Sequence, residues 1–232
     1  MQVLAFDAST ELCAAALYSN ASWRERVEHA GQRHSELLLP MIDALLSEGG
    51  VRLDQLDAIA FGAGPGSFTG LRIACGVAQG LALGSGVPLL GISTLEAIAE
   101  AAYQRDGSRR VIAALDARMH EVYLGAYERD GDAWRVCVDP AVAKPAQIAL
   151  PVGDGWIGAG NGFEEYPALI ERLSDQLAEC ANGIAPTARA VATLAIPRIR
   201  AGLGVAAGQA APFYVRHRVA LTTAERDAGM RQ

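Results

Sequence analysis

One short pattern occurs twice in the chain and limits the folds that it can adopt. Phe6-Asp7-Ala8 recurs as Leu115-Asp116-Ala117, and a tyrosine, Tyr18 or Tyr127, stands eleven residues after each aspartate. A tryptophan then opens the third predicted strand of each half. A repeated pattern indicates a repeated supersecondary unit. The sequence therefore predicts two βββα-type halves with a cleft between them, an arrangement suited to holding a nucleotide or phosphate.

Hydrophobic periodicity and turn-forming residues predict the individual elements. The first half reads as βββαβαβα, with strands at Val3–Phe6, Cys13–Tyr18, Trp23–Val27, Ala58–Gly62 and Leu89–Ser93 and helices at Ser35–Ser47, Thr69–Leu83 and Thr94–Tyr103. The second half reads as strands at 111–116, 121–127, 134–138 and 156–159, followed by an amphipathic helix at 163–173. We expect a first lobe over residues 1–104, a smaller second lobe over 105–209, and a basic tail over 210–232 that returns to the first lobe.

Small side chains dominate the predicted core. The chain has 44 alanines and 25 glycines against 14 aromatic residues. Because each small residue buries little area, the elements must pack closely. Charged residues make up only 20% of the chain, which excludes disorder as its dominant state.

Cysteine usage, the N-terminus and hydropathy predict a soluble, cytoplasmic protein. The four cysteines include no C-x-x-C pair, which excludes a zinc cluster or a secreted disulfide scaffold and favours a reducing compartment. The first seven residues have no basic flank and end in an aspartate, unlike a signal peptide. The uncharged stretch between Arg72 and Glu96 is interrupted by glycines and a proline. A buried helix, turn and strand explain it better than a membrane span.

Charge is distributed unevenly along the chain. Residues 1–183 carry 13 basic and 24 acidic side chains, whereas residues 184–232 carry 7 basic and 2 acidic ones. This asymmetry is typical of an arginine-bearing solvated face, or of a basic tail that meets an anionic partner. With a net charge of −6, the chain alone is a poor candidate for strong binding to a phosphate backbone.

The glycine-rich segment Gly62–Arg72 lies between a predicted strand and a predicted helix. Glycines allow the backbone to approach a ligand, and free N–H groups at a helix start attract anions. No lysine precedes the helix, so the segment is not a Walker A loop. The competing interpretation is a tight strand-to-helix turn with Ser67 or Thr69 as the N-cap. The candidate phosphate-contacting residues are Gly64, Gly66, Ser67, Thr69 and Arg72.

Asp7, Ser9 and Thr10 stand at the end of the first predicted strand. An acid followed by hydroxyls in a tight turn can orient a magnesium-bound water or a phosphate. The alternative is an Asx-type turn that caps a hairpin. The four histidines lack metal-ligand spacing, and no Ser-His-Asp or Cys-His set can be argued from the sequence.

The helix at Ser35–Ser47, with Ser35 as its predicted N-cap, is apolar over an arc of about 200°, against about 100° for a one-sided helix. Such a helix either lies deep in the core or faces both its own core and a partner. The next helix repeats glycine every four residues, which lets another helix approach closely. We expect a helix-pair interface formed by Leu37, Leu38, Met41, Leu45, Gly76, Ala78 and Gly80, with Met41, Leu45 and Ala78 facing outward.

These segments together resemble the TsaB (YeaZ) family of bacterial tRNA threonylcarbamoyladenosine synthesis. The residues that carry the likeness are Leu4–Thr10, His34–Pro40, Gly64–Arg72, Asp116–Met119, Glu121–Tyr123 and Pro212–Arg216. Gly64–Arg72 is the most specific of them. The likeness is strong over residues 1–127 and thin between about 140 and 210.

The resemblance implies an actin/Hsp70-like (ASKHA) two-lobed α/β fold built from duplicated βββαβα ribonuclease-H-like units. The related TsaD transferases bind their metal through an H-x-x-x-H pair on a helix, and Thr94 and Ile98 stand at the corresponding positions here. A threonine and an isoleucine cannot replace two imidazole ligands. The resemblance therefore implies that this chain has neither the metal site nor catalytic residues.

The function implied by the resemblance is that of a non-catalytic scaffold subunit. We expect it to pair with a TsaD-like transferase and a TsaE-like ATPase, to form a homodimer in isolation, and to meet tRNA only through the complex. No cofactor is expected on this chain, because ATP with magnesium and the metal ion belong to partner subunits. Arg118 stands where a related nucleotide site offers a glycine, which predicts weak ATP binding. The alternatives are a small-molecule phosphotransferase of the same fold and a metallopeptidase-like protein.

Overall fold

The computed structural model describes residues 1–216, which form two five-stranded sheets flanked by helices. The first half consists of β1 (Val3–Asp7), β2 (Leu12–Ser19), β3 (Ser22–His29), α1 (His34–Gly49), β4 (Ala58–Gly64), α2 (Phe68–Ser85), β5 (Leu89–Ser93) and α3 (Thr94–Asp106). The chain continues with β6 (Arg110–Asp116), β7 (Val122–Asp130), β8 (Ala133–Ala143), β9 (Trp156–Ala159), α4 (Gly162–Glu165), α5 (Pro167–Arg172), β10 (Leu177–Ala181) and α6 (Ala188–Arg200).

The two sheets have the same topology. The first has the strand order β3-β2-β1-β4-β5, and the second has the corresponding order β8-β7-β6-β9-β10. In each sheet the three strands that come first in the chain pair antiparallel, and the last two join in parallel. The duplicated two-lobed α/β fold predicted above is thereby confirmed. The second half is reduced, because a single turn at Pro145–Gln147 replaces α1.

Helices α3 and α6 pack between the two sheets, and their small side chains allow this. Ala97, Ala99 and Ala102 on α3 are fully buried, as are Ala190 and Ala195 on α6. α3 contacts strands of both sheets, whereas α6 contacts α3 and the first sheet. α1 and α2 cover the other face of the first sheet, and α4 and α5 cover the other face of the second. The molecule is therefore a five-layer sandwich of helices and sheets.

The end of the described chain belongs to the first lobe. Residues 105–209 are predicted to form the second lobe, but α6 packs against β1, β2 and β4 of the first sheet. Val205 then forms an antiparallel bridge with Leu89 in β5. The predicted boundary therefore fails at α6, because its apolar face is buried on the first sheet. Of the tail predicted over 210–232, residues 217–232 lie outside the described part.

The start of α1 differs from the prediction. Arg33 occupies the N-cap without a side-chain bond, the helix begins at His34, and Ser35 is exposed in the first turn. His34 Nε2 lies 2.9 Å from the carbonyl oxygen of Thr10. A tertiary hydrogen bond to the β1–β2 turn therefore replaces the predicted serine cap.

The helix predicted over 163–173 is divided into α4 and α5. Pro167 opens α5, and a proline restricts the residue before it to extended backbone. Tyr166 accordingly has φ −125° and ψ 85°. Its hydroxyl group donates to Asp116 Oδ1 at 2.7 Å, so the break in the helix supports the end of β6.

The uncharged stretch between Arg72 and Glu96 forms most of α2, a turn and β5, as predicted. Gly86 ends α2 in the left-handed conformation, with φ 75°. Across residues 1–216, no helix combines the length and apolarity needed to cross a membrane.

Candidate functional site

A cavity of about 760 Å³ lies between the two lobes. Its first-lobe wall consists of the β1–β2 turn, the start of α1 and the loop that joins β4 to α2. Its second-lobe wall is the turn after β6, with Tyr123 and Asn161 beside it. The predicted phosphate-contacting residues that border this cavity are Ser9, Thr10, Gly66, Ser67 and Thr69. Asp7, Gly64 and Arg72 lie behind or beside the wall.

The glycines of the β4–α2 loop serve contact between backbones. A Cβ atom on Gly66 would lie 2.5 Å from the carbonyl oxygen of Ser9, and one on Gly70 would overlap the carbonyl oxygen of Ala8. Ser67 N donates to the Ser9 carbonyl oxygen at 2.8 Å, and Ser67 Oγ caps α2 by accepting from Gly70 N at 3.3 Å. The structure therefore has the tight strand-to-helix turn, in which the β1–β2 turn fills the space beside the glycines.

The Arg72 side chain does not border the cavity itself but packs on two aromatic residues that do. Its guanidinium group lies over the ring of Phe68, 3.9 Å from the ring centroid. Its Nε donates to the Tyr214 hydroxyl group at 3.2 Å. The predicted role of Arg72 at a phosphate is therefore not supported by its position.

Asp7 lies beneath the cavity in a buried Asx-type turn. Its Oδ1 accepts from Ser9 N at 2.9 Å and from Ser9 Oγ at 2.7 Å. Its Oδ2 faces Gly62, where a Cβ atom would overlap it, and has no hydrogen-bond partner within residues 1–216. Burial raises the pKa of Asp7 to about 6, although both bonds from Ser9 and the nearby His34 oppose the rise.

The second-lobe wall carries a strained turn. Arg118, Met119 and His120 have φ values of 61°, 56° and 57°, which side chains other than glycine rarely adopt. Asp116 holds the turn, since its Oδ1 accepts from Arg118 N at 2.7 Å and its Oδ2 pairs with Arg118 Nη1 at 2.9 Å. The Arg118 side chain is 87% exposed. It therefore extends into solvent at the edge of the cavity, which it borders. The weak ATP binding predicted from Arg118 stays a prediction.

The segment Phe213–Arg216 crosses the mouth of the cavity, which sequence reasoning missed. Phe213 N donates to the Ala63 carbonyl oxygen at 2.6 Å in the first lobe. Arg216 reaches the second lobe, where its Nη2 donates to the Ala117 carbonyl oxygen at 3.0 Å and pairs with Glu121. The aromatic pair Phe213-Tyr214, in a chain with few aromatic residues, is the sequence signal that marks this segment.

Thr94 and Ile98 are both fully buried at the start of α3. Within residues 1–216 the Thr94 hydroxyl group has no hydrogen-bond partner. No group of three His, Cys, Asp or Glu side chains in that part of the chain is placed to hold a metal ion. The lack of a metal site on this chain stays a prediction from the resemblance.

The predicted helix-pair interface is divided between the core and the surface. Leu38, Met41, Leu45 and Ala78 are buried in the core between α1, α2 and the first sheet, and Leu37 is half-buried against it. The expectation that Met41, Leu45 and Ala78 face outward is therefore wrong, because that edge of the apolar arc packs on the sheet. The exposed edge consists of Leu39, Gly76, Gly80, Leu83 and Gly84, which we call the α1/α2 face.

Known proteins resemble this chain along most of its length. A model of the TsaD family, described as tRNA N6-adenosine threonylcarbamoyltransferase, matches residues 27–220. The tRNA threonylcarbamoyladenosine biosynthesis protein TsaB of Escherichia coli is 37% identical over 224 residues, which are 95% of this chain and 96% of the relative. The TsaB protein of Haemophilus influenzae is 41% identical over 181 residues, 74% of this chain and 77% of the relative. The solved structure of YeaZ from Pseudomonas aeruginosa is 41% identical with a TM-score of 0.85, and the match covers 92% of this chain and 99% of that chain.

The duplicated sheets, the helix pair between them and the interlobe cavity define a two-lobed α/β protein with a repeated unit. Sequence identity to the TsaB and YeaZ proteins along nearly the whole chain identifies the family within this class. The chain belongs to the TsaB (YeaZ) family, within the wider family that the TsaD model describes. The predicted family is thereby confirmed.

The buried carboxyl group of Asp7 predicts a pH dependence of stability. Because its folded pKa is about 6 against an ordinary 3.8, the native state binds the extra proton between about pH 4 and 6, and stability falls as pH rises through that window. Asp7→Asn removes this loss, so its free energy of unfolding exceeds that of the wild type by up to about 3 kcal/mol at neutral pH. Urea unfolding from pH 4 to 8 measures the difference, with the exposed Asp43→Asn as control. Parallel curves for wild type and Asp7→Asn would contradict the assignment.

Two glycine-to-alanine substitutions on α2 test whether glycine is required where α2 meets the β1–β2 turn. Gly70→Ala forces a Cβ atom into the Ala8 carbonyl oxygen, and we expect it to destabilise the protein by about 1–3 kcal/mol. Gly80→Ala meets open space on the same helix, and we expect it to stabilise the protein by about 0.5–1 kcal/mol. Thermal unfolding distinguishes the two. An unchanged melting temperature for Gly70→Ala would show that the loop has room for a ligand.

Proposed function

We propose that the chain is a non-catalytic subunit that pairs with a TsaD-like transferase, and that a TsaE-like ATPase works with this pair. Its family membership gives it a role in tRNA threonylcarbamoyladenosine biosynthesis. In this proposal ATP, magnesium and the metal ion belong to the partner subunits. The chain contributes a surface that the transferase needs, and tRNA is met within the complex.

The α1/α2 face is the observation that carries this proposal. Leu83 is 82% exposed on α2, and Leu39 is exposed on α1 in the same outer layer of the first lobe. Cβ atoms on Gly76, Gly80 and Gly84 would meet nothing within 4 Å. The ridge of glycines on α2 lets a helix of another subunit approach closely, and the exposed leucines supply apolar area for association. In isolation, a second copy of the chain would occupy the same face.

The walls of the cavity support a binding role over phosphotransfer. The backbone of the β1–β2 turn fills the space beside the loop glycines. The Arg72 guanidinium group lies over Phe68, and Asp7 is buried beneath the cavity. A phosphotransferase needs backbone N–H groups and cations directed at the phosphates. The groups that the sequence offers for that purpose are engaged elsewhere in the fold, so the alternative is the weaker one.

Charging the α1/α2 face tests the interface. We expect Leu83→Glu to weaken association with the transferase at least tenfold, about 1.4 kcal/mol, because a buried leucine is worth about 1.5–3 kcal/mol. The melting temperature of the monomer, measured in dilute solution where the dimer has dissociated, stays unchanged, since Leu83 is exposed in the monomer. Val152→Glu, at a position 90% exposed in the second lobe, serves as the control. Leu45→Glu lies on the buried edge and lowers the melting temperature instead.

Analytical ultracentrifugation of the chain alone, and co-purification with the transferase, measure the two associations. Equal binding by Leu83→Glu and the wild type would reject this face.

The isolated chain should be catalytically silent and bind ATP poorly. We expect no tRNA modification by the chain alone when threonylcarbamoyl-adenylate is supplied without the transferase. We expect a Kd for ATP above about 100 μM, which corresponds to less than about 5.5 kcal/mol. Calorimetry with ATP and magnesium checks the affinity. Modification by the chain alone would overturn the non-catalytic role, and low-micromolar ATP binding would favour the phosphotransferase interpretation.

A further inference from the structure

The exposed aromatic side chains of residues 1–216 gather at one place. They are Phe68, Phe213 and Tyr214, each between 40% and 50% exposed. All three border the interlobe cavity. Exposed aromatic area concentrated at one site marks a recognition surface, and here it includes every strongly exposed aromatic residue of that part of the chain.

Arginines accompany these rings. The Cζ atom of Arg72 lies over the Phe68 ring, 3.9 Å from its centroid, and Arg72 Nε donates to the Tyr214 hydroxyl group. The Phe68 and Tyr214 rings lie 5.8 Å apart at 36°. Arg118 extends into solvent from the opposite wall. We call Phe68, Arg72, Phe213 and Tyr214 the aromatic rim.

Polar groups form part of the wall of the cavity behind the aromatic rim. Ser9, Thr10 and Gln32 border it on the first-lobe side, and Asn161 borders it on the second. Its volume of about 760 Å³ lies within the range of about 300–1,000 Å³ found for small-ligand sites. The cavity is therefore large enough for one base with its ribose, and its walls offer hydrogen-bond partners for base edges.

Rings and guanidinium planes around a cavity with polar groups in its wall are the chemistry that recognises unpaired bases. Single-stranded RNA is bound by stacking on aromatic side chains and arginine, with hydrogen bonds to the base edges. Protein hot spots are also rich in tyrosine and arginine, but their centres are closely packed and dry. An open cavity that offers hydrogen-bond partners beside exposed rings favours the nucleotide. Because the chain has a net charge of −6, we expect stacking on the base to contribute more to RNA binding than contacts with the phosphates.

We infer that the aromatic rim stacks on an unpaired nucleotide of the tRNA when the chain is assembled with its transferase. This inference rests on the proposed function, which supplies the RNA and the complex. The chain then contributes directly to holding the substrate as well as to the assembly.

The test uses the assembled complex and a fluorescein-labelled, unmodified tRNA transcript. We expect Phe68→Ala combined with Tyr214→Ala to weaken tRNA binding at least tenfold, since stacking on one base is lost. Phe68→Tyr keeps a ring and retains the affinity, and Val152→Ala is the exposed control. The slope of log affinity against log salt stays unchanged, because no phosphate contact is removed. Ultraviolet cross-linking of the wild-type complex should place a nucleotide adduct within 65–72 or 211–216.

The outcomes separate the inference from the proposed function. Equal tRNA binding by a double variant that still assembles, or no adduct in either segment of the wild type, overturns the inference and leaves the proposed function intact. Loss of the transferase by the double variant would make the aromatic rim a protein interface, which also overturns the inference. Failure of the wild type to assemble with the transferase defeats the proposed function itself.

Discussion

The layer formed by α3 and α6 is the constraint on which the rest of the structure depends. Both sheets pack against this layer, and it is thin because alanines face the sheets. A larger side chain there would force the sheets apart and move the two walls of the cavity relative to each other. One buried carboxylate fixes how α3 is oriented in this layer. Glu100 on α3 accepts from Trp134 Nε1 at 2.8 Å and pairs with Arg129. Because a buried carboxylate is costly without its partners, α3 is held to the second sheet in one orientation.

The cavity illustrates how one glycine pattern can serve two different ends. A loop between a strand and a helix, rich in glycine and hydroxyl residues, is a common way to bind phosphate. Here the same residues let the β1–β2 turn rest directly on the start of α2. Asp7 is sealed beneath that contact, and one of its oxygens has no partner among residues 1–216. The site thus has the outline of a nucleotide cleft, while the groups nearest its base are occupied by the chain itself.

The sequence predicts most of the fold because the signals are local and repeated. The periodicities locate the strands and helices, and the matching pattern at Asp7 and Asp116 indicates two similar sheets. Two features could not be predicted, since they depend on packing between distant segments. The arc of α1 is apolar on both edges. Only the way in which α1 packs on the sheet therefore decides that Met41 is buried and Leu39 is exposed. The place of α6 on the first sheet likewise has no local signal. The break at Pro167, by contrast, follows from the proline alone, which the helix predicted over 163–173 does not take into account.

The return of α6 and Val205 to the first lobe has a consequence for biosynthesis. The inner face of the first sheet is covered only in part, by α3 on β4 and β5, until residues 188–200 have been made, although β1 is the first strand to be translated. Most of the chain is therefore synthesised before the N-terminal lobe can bury the whole of this face. Contacts between the two ends of a chain close large loops and form slowly. The nascent first lobe is thus the part of this protein with the longest exposure to chaperones and proteases, and its maturation is tied to the completion of the chain.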